Sequence, residues 1–288
     1  MATQSAVTAT VRAGGRAAIA ARTLRRDRWW IEPAIYAFGL TAFVLDGLYA
    51  VFSQFFTGID YYTGVGAAAG NTGTDYLSPF FSPCISSNCP SGAQMFHAAF
   101  GVPHVLSPGL IVLIFPMLFR TTCYYYRKAY YRSFWFSPPA CAVAEPHRRY
   151  TGERRFPLIL QNSHRYWWYF AVLFIGILGY DAVISFSFPA TATRDSGLGL
   201  GVGSFVLVVN VLLLAGYTFG CHSCRSIIGG KLNHFSKHPI RYRYWKVVTW
   251  FNARHMQWAW ASLIWVGLAD LYVRLVATGI ITDPHVVF

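Results

Sequence analysis

Five long apolar stretches constrain this chain more than any other feature of its sequence. A helix needs about 20 apolar residues to cross the hydrocarbon core of a bilayer. Only 12% of the residues are charged, against about 25% in soluble domains. The sequence therefore predicts an all-α membrane protein, a bundle of five transmembrane helices. Pro103, Pro108 and Pro116 predict kinks in the second helix. The predicted spans cover residues 31–56, 96–119, 166–188, 199–219 and 256–280.

The lysines and arginines give these helices a direction. Six of them lie in residues 1–30, nine in 120–165 and seven in 221–255, whereas the loop 57–95 holds none. Cytoplasmic loops of membrane proteins carry the excess of positive charge, so the net charge of +13 does not indicate nucleic-acid binding. The sequence thus predicts a multi-pass protein of the plasma membrane. Its predicted parts are a basic cytoplasmic segment at 1–30, a transmembrane domain at 31–280 and an external C-terminal tail at 281–288.

The six cysteines divide by the side of the membrane on which they lie. Cys84 and Cys89 belong to the external loop, in SPCISSNCPSG, where an oxidising compartment favours a disulfide over two free thiols. The other four lie at or near the cytoplasmic ends of the spans, where a reducing compartment keeps them as thiols. These four, which remain available as metal ligands, are Cys123, Cys141, Cys221 and Cys224.

Two histidines open spans at the depth of these cysteines, His164 in the third and His255 in the fifth. Cysteine and histidine pairs suit zinc, or a Rieske-type [2Fe–2S] cluster in which one iron takes two Cys and the other two His. Histidines on different spans also suit b-type haem. The alternative is that these side chains only pack or make hydrogen bonds. An i, i+3 spacing favours Cys221 and Cys224 as the thiol pair, with Cys123 and Cys141 as the second choice.

Several long motifs gather at the cytoplasmic side of the predicted bundle. They are TCYYYRKAYYRSFWFSPPACAV, YTGERRFPLILQNSHRYWWY, CHSCRSIIGGKLNHFSKHPIRYRYWKVV, NARHMQWAWASL and ADLYVRL. Together they resemble the five-helix membrane-anchor subunit of actinobacterial succinate dehydrogenase, and the resemblance covers residues 31–275.

The resemblance implies two partners on the cytoplasmic face, a flavoprotein that oxidises succinate and an iron–sulfur subunit. It also implies that electrons pass through the anchor to a membrane quinone, either menaquinone or ubiquinone. Many five-helix anchors hold haem b between histidines of several helices, but the external half of this chain offers no such pair on two spans. We therefore expect a Rieske-like [2Fe–2S] centre, with haem b or a structural zinc ion as alternatives.

A quinone site needs an apolar slot with a few hydrogen-bond donors at the quinone carbonyls. The cytoplasmic end of the predicted bundle offers aromatic and cationic side chains for this purpose. Their alternative role is an aromatic belt at the lipid headgroups. The quinone-site candidates are Arg165, Tyr166, Trp167, Trp258 and Trp30.

Three predicted spans carry an aspartate at a similar height, about 24 Å above their cytoplasmic ends at 1.5 Å per residue. Acids inside a membrane commonly mark function, so they suggest a proton path, a second quinone site or a proton-coupled transporter. The alternative is structural, because this height is close to the external interface and Arg274 lies one turn beyond Asp270. The candidates for the path are Asp46, Asp181, Asp270, His97 and His104.

Overall fold

A computed structural model of the chain describes residues 25–57, 76–85, 107–143, 154–156, 158–188 and 195–288. Most of these residues are helical, and three short strands lie among them. The α-helices are α1 (Ile31–Thr57), α2 (Pro108–Val112), α3 (Ile114–Thr121), α4 (Tyr124–Tyr130), α5 (His164–Ile184), α6 (Val202–Phe219), α7 (His222–Gly229), α8 (Pro239–Ala253) and α9 (His255–Ala277). The strands are β1 (Ser187–Phe188), β2 (Gly197–Gly201) and β3 (His285–Val287).

Within the described residues, four helical segments are long and apolar enough to cross a membrane. They are α1, α5 with the 3₁₀ turn before it, α6 and α9. A fifth is reached if Pro108–Thr121 and Tyr124–Trp135 count as one broken span. The predicted all-α membrane bundle is thereby confirmed. The direction in which the helices cross the membrane stays a prediction from the charges.

The break in the second predicted span has a local cause. Proline has no N–H to donate, so Pro116 leaves the carbonyl of Val112 without its usual helical partner. The helix α2 ends at Val112, and α3 begins two residues later at Ile114. The bend of 84° lies elsewhere, between Pro108–Thr121 and Tyr124–Trp135, so the kinks at the prolines stay a prediction. The first part of the predicted span, residues 96–106, lies outside the described residues.

The chain divides into two compact units, residues 1–42 with 121–163, and residues 43–120 with 164–288. In the first unit, Arg132 forms an ion pair with Glu32 at 3.1 Å. Arg25 donates a hydrogen bond of 2.7 Å to the carbonyl of Cys141. These contacts connect the start of α1 to the chain segment that follows α4. The second unit contains α5, α6 and α9, with α6 packed against both of the others.

A small antiparallel sheet of order β1-β2-β3 lies where the sequence predicts the ends of two spans. The predicted third span runs to residue 188 and the predicted fourth starts at 199, but α5 ends at Ile184 and α6 begins at Val202. The prediction is wrong there because alternating glycines disfavour a helix in spite of their apolar neighbours. Gly199 also allows a close backbone approach, since an added Cβ would lie 2.6 Å from the carbonyl oxygen of Val286.

The segment 76–85, which the charges predict to be external, is buried inside the second unit along nearly all of its length. Leu77, Phe80 and Phe81 pack in one apolar cluster with Ala50 of α1 and Val266 of α9. A loop that covered only the lipid headgroups would not place three large side chains in a core. This segment therefore belongs to the interior of the bundle.

Candidate functional site

The candidate cofactor site begins with a contact between the first residue of α5 and the residue before α7. The Nε2 atom of His164 lies 3.1 Å from the Sγ atom of Cys221. Cys221 is completely buried and caps α7, because its sulfur accepts the backbone N–H of Ser223 at 3.3 Å. The cap fixes the orientation of the thiol, and α5 brings the imidazole to it.

A column of four rings connects His164 to His255, with the two outer pairs stacked and the central pair tilted by 56°. The His164 ring stacks on Phe119, with 4.9 Å between the centroids and an interplanar angle of 5°. Phe119 lies 5.2 Å from Tyr217, and Tyr217 stacks on His255 at 4.9 Å and 11°. His255 is 2% exposed, so this end of the column is closed to solvent. The structure thus joins the two predicted histidine ligands through two aromatic rings.

A buried arginine lies beside this column. Arg120, near the end of α3, is 7% exposed and places its guanidinium 4.9 Å from the centre of the Tyr217 ring. It also donates a hydrogen bond of 3.3 Å to the hydroxyl of Ser262 on α9. A cation over an aromatic face is held by the negative charge of that face. The sequence interpretation counted Arg120 only as a loop cation and missed this placement.

The remaining predicted ligands differ in their surroundings. Cys224 is buried, and burial raises the pKa of its thiol to about 11, so that it is neutral at neutral pH in the absence of a bound cation. Cys123 is buried and Cys141 is exposed, and both are free thiols in the first unit. Within the described ranges, no three Cys, His, Asp or Glu side chains are arranged around one point that could hold a metal ion.

An apolar cavity of about 70 Å³ adjoins the ring column in the second unit. Phe119, Arg120 and Tyr217 form part of its wall, together with Thr218. The Thr218 carbonyl accepts the indole N–H of Trp168 at 2.9 Å, which holds α5 against α6 at this level. The other walls are apolar side chains of α1, α3, α5, α6 and α9 with Pro79 and Phe80 of the buried segment. The cavity therefore has one cationic end in an otherwise apolar lining.

Comparison with known proteins decides the family. The model of the actinobacterial succinate dehydrogenase subunit SdhC matches residues 31–279. The chain belongs to this SdhC family. Among solved structures, the Mycobacterium smegmatis Sdh1 complex in the apo form contains a chain with 47% identity and a TM-score of 0.76. The alignment covers 91% of this chain and 92% of that one. No curated protein matches. The resemblance found in the sequence motifs is confirmed.

In this SdhC-family chain, the residues predicted to bind quinone are not among the described residues that line the apolar cavity. Arg165 donates a hydrogen bond of 3.1 Å to Ser226, and Tyr166 is exposed. Trp167 lies against Phe115 and Phe170, and Trp258 packs over Phe251, while Trp30 is exposed in the first unit. These positions agree with the alternative interpretation, an aromatic belt, but the role of each residue stays a prediction.

The predicted belt of acids is held by partners on neighbouring segments. Asp46 and Asp270 both form ion pairs with Arg274, the second at 2.7 Å. Ser78 of the buried segment 76–85 donates a hydrogen bond to Asp270. Asp181 accepts a hydrogen bond from Ser82 of the same segment. These contacts connect α1 to α9, and they connect α9 and α5 to the segment 76–85. His97 and His104 lie outside the described residues.

A further buried acid, Asp283, was missed by the sequence interpretation. It accepts hydrogen bonds from the hydroxyls of Tyr76 at 2.8 Å and Tyr272 at 2.6 Å, and from the backbone N–H of Gly203 at 2.8 Å. Its signal in the sequence was weak, because it stands in the short tail after the last predicted span. Cys84 is buried and is not among the free thiols, but Cys89 lies outside the described residues, so their disulfide stays a prediction.

Proposed function

We propose that this chain is the electron-transferring membrane anchor of a succinate:quinone oxidoreductase. In this proposal, it passes electrons from a docked iron–sulfur subunit, through a Cys/His-ligated cofactor, to a membrane quinone. The flavoprotein and the iron–sulfur subunit sit on its cytoplasmic face. The observation that carries the proposal is the half-buried contact between His164 and Cys221, connected to His255 by the rings of Phe119 and Tyr217.

The contact between His164 and Cys221 supports a Rieske-like [2Fe–2S] centre, and His255 lies beyond two aromatic rings. Each iron of such a centre takes two protein ligands, two thiolates on one and two imidazoles on the other. A structural zinc ion held by four such ligands is the alternative. His164 and His255 with Cys221 and Cys224 would hold the cluster, and Cys123 with Cys141 is the alternative thiol pair. When bound, the cluster would accept and donate single electrons.

The protein around these ligands has separate tasks. The cap made by Cys221 fixes one thiol, and the packing of Phe119 and Tyr217 holds the two imidazole planes. Burial excludes water from His255 and from both thiols of the CxxC pair. A dry, rigid set of ligands favours electron transfer, because little has to reorganise when the charge of the centre changes.

The test uses the purified complex with His164→Ala and His255→Ala. Both variants should lose the electron paramagnetic resonance signal of the cluster in the membrane anchor, with the signals of the iron–sulfur subunit retained. Both should also lose the reduction of quinone. Both should keep the reduction of a water-soluble dye by succinate, which needs only the soluble subunits. His234→Ala, on an exposed loop, is the matched control and should retain both the signal and quinone reduction.

Two results would contradict the proposal. One is a wild-type complex whose iron and acid-labile sulfide are fully accounted for by the soluble subunits. The other is unchanged quinone reduction in both histidine variants. A Soret band lost in the same variants would instead identify haem b, the alternative cofactor for this pair of histidines.

A further inference from the structure

A groove on the outside of the second unit shares a wall with the apolar cavity. The groove has a volume of about 260 Å³ and lies between α1 and the pair α2 and α3. Four side chains line both the groove and the cavity: Phe43, Phe80, Leu113 and Met117. Displacing them would join the two spaces into one passage from the outer surface to Arg120.

The outer end of this passage faces lipid. Val44 and Leu48 line the groove from α1, and both are exposed apolar residues on a helix long enough to span the membrane. Gly47 forms part of the groove wall, where an added Cβ would make van der Waals contact with the Phe80 ring at 3.9 Å. A side chain larger than methyl at this position would project into the groove.

The inner end of the passage has a different chemistry. Arg120 and Tyr217 both belong to the cavity wall. Tyr217 is one of the rings that connect His164 with His255, and the Arg120 guanidinium lies over it. A ligand that fits this passage has a long apolar chain and a polar acceptor at its inner tip. A quinone with its isoprenoid tail has both, whereas the acyl chain of a lipid has no polar group at that end.

The sizes of the two spaces indicate how they would be used. Sites for small molecules usually have volumes of about 300–1,000 Å³, so the cavity of about 70 Å³ is too small for a headgroup by itself. The cavity and the groove together fall just inside the lower end of that range. Met117 belongs to their shared wall and has three rotatable side-chain bonds, which makes it the easiest of the four residues to displace.

We propose that quinone enters this subunit sideways from the bilayer, through the groove at Gly47, and that Arg120 binds a carbonyl of its headgroup in the cavity. The isoprenoid tail then remains in the groove between α1 and α3. This inference rests on the proposed function, since it assumes that quinone is the electron acceptor. Arg120 supplies a hydrogen bond to the quinone and a positive charge that stabilises the reduced, anionic oxygen.

The first test is Gly47→Leu in the assembled complex, assayed with a long-tailed quinone and with an analogue that carries a single isoprene unit. A leucine in the groove should raise the KM for the long-tailed quinone by about tenfold or more and affect the short analogue much less. Gly176→Leu on α5 is the matched control, because an added Cβ there meets no atom within 4 Å and Gly176 is not part of the groove or cavity. Leu48→Trp, at the mouth of the groove, provides a second variant if Gly47→Leu does not assemble.

The second test concerns the inner end. Arg120→Met should reduce kcat/KM for both quinones at least tenfold, and Arg120→Lys should recover part of that loss because it restores the charge. Dye reduction by succinate and the cluster signal should remain in all variants, which separates this inference from the proposed function. An absent cluster signal in the wild type would refute the proposed function, not the passage.

Three outcomes would overturn the passage itself. The first is an equal effect of Gly47→Leu on long-tailed and short quinones. The second is unchanged quinone kinetics in Gly47→Leu and Leu48→Trp, with loss of a co-purified phospholipid, which would assign the groove to lipid. The third is normal quinone reduction in Arg120→Met.

Discussion

Asp46, Asp270, Arg274 and Ser78 form one network of ion pairs and hydrogen bonds. Replacing Arg274 by methionine should destabilise the subunit more than any other single change in this network. The Arg274 side chain is 6% exposed and that of Asp270 is 0% exposed, with 2.7 Å between the Nε and Oδ2 atoms. Removing one partner of a buried ion pair costs about 3–5 kcal/mol, because the other charge is left without compensation. The free energy of unfolding of Arg274→Met should fall by that amount.

The same geometry ranks the neighbouring changes. Ser78→Ala removes one hydrogen bond to a carboxylate and should cost about 1.5–3 kcal/mol. The double variant Arg274→Met/Asp270→Leu removes both charges, so it should be more stable than Arg274→Met alone. Arg243→Met, on the exposed side of α8, is the control and should change stability by less than about 0.5 kcal/mol.

Unfolding by sodium dodecyl sulfate in mixed micelles, followed by tryptophan fluorescence, would measure these differences. A loss of unfolding free energy in Arg274→Met no larger than in the Arg243→Met control would refute this prediction. So would a double variant that is less stable than Arg274→Met by the full effect of a second, independent substitution. Either result would mean that the network is hydrated and carries little of the stability.

The other predictions concern the cofactor, the quinone passage and the sheet β1-β2-β3. His164→Ala and His255→Ala should abolish the cluster signal with dye reduction retained, and Gly47→Leu should discriminate against long-tailed quinone. Gly199→Ala should detach β3, because its Cβ would meet the Val286 carbonyl at 2.6 Å, and faster carboxypeptidase removal of the C-terminus would show it. Asp283→Ala should lower the free energy of unfolding by about 2–4 kcal/mol, since two tyrosine hydroxyls and one backbone N–H lose their acceptor. The same unfolding assay would measure it, and a loss below about 1 kcal/mol would contradict the prediction.

Hydropathy was sufficient to predict the long helices, since the bilayer requires long apolar segments whatever their neighbours. It was not sufficient at Gly197–Gly201, where an apolar composition looked like part of a span. This strand pairs with β3, which lies about 90 residues later in the chain, and no local pattern predicts such a pairing.

The candidate site was predictable only in part. His164 and Cys221 were recognised from residue type and depth, and the structure places them in contact. Arg120 was missed because it stands at the end of an apolar run, where a cation usually faces the headgroups. The serines that hold Asp181 and Asp270 were unpredictable as well, because they belong to a loop without periodicity.

The ring column has a consequence for how the subunit is put together. Its four rings, His164, Phe119, Tyr217 and His255, come from four different helices, α5, α3, α6 and α9. Each helix contributes one ring, so no pair of neighbouring helices holds the column without the others. A shift of one helix by a single turn, about 5.4 Å, exceeds the spacing between two rings and would interrupt it. The column is therefore complete only after the last helix, α9, has been inserted in register.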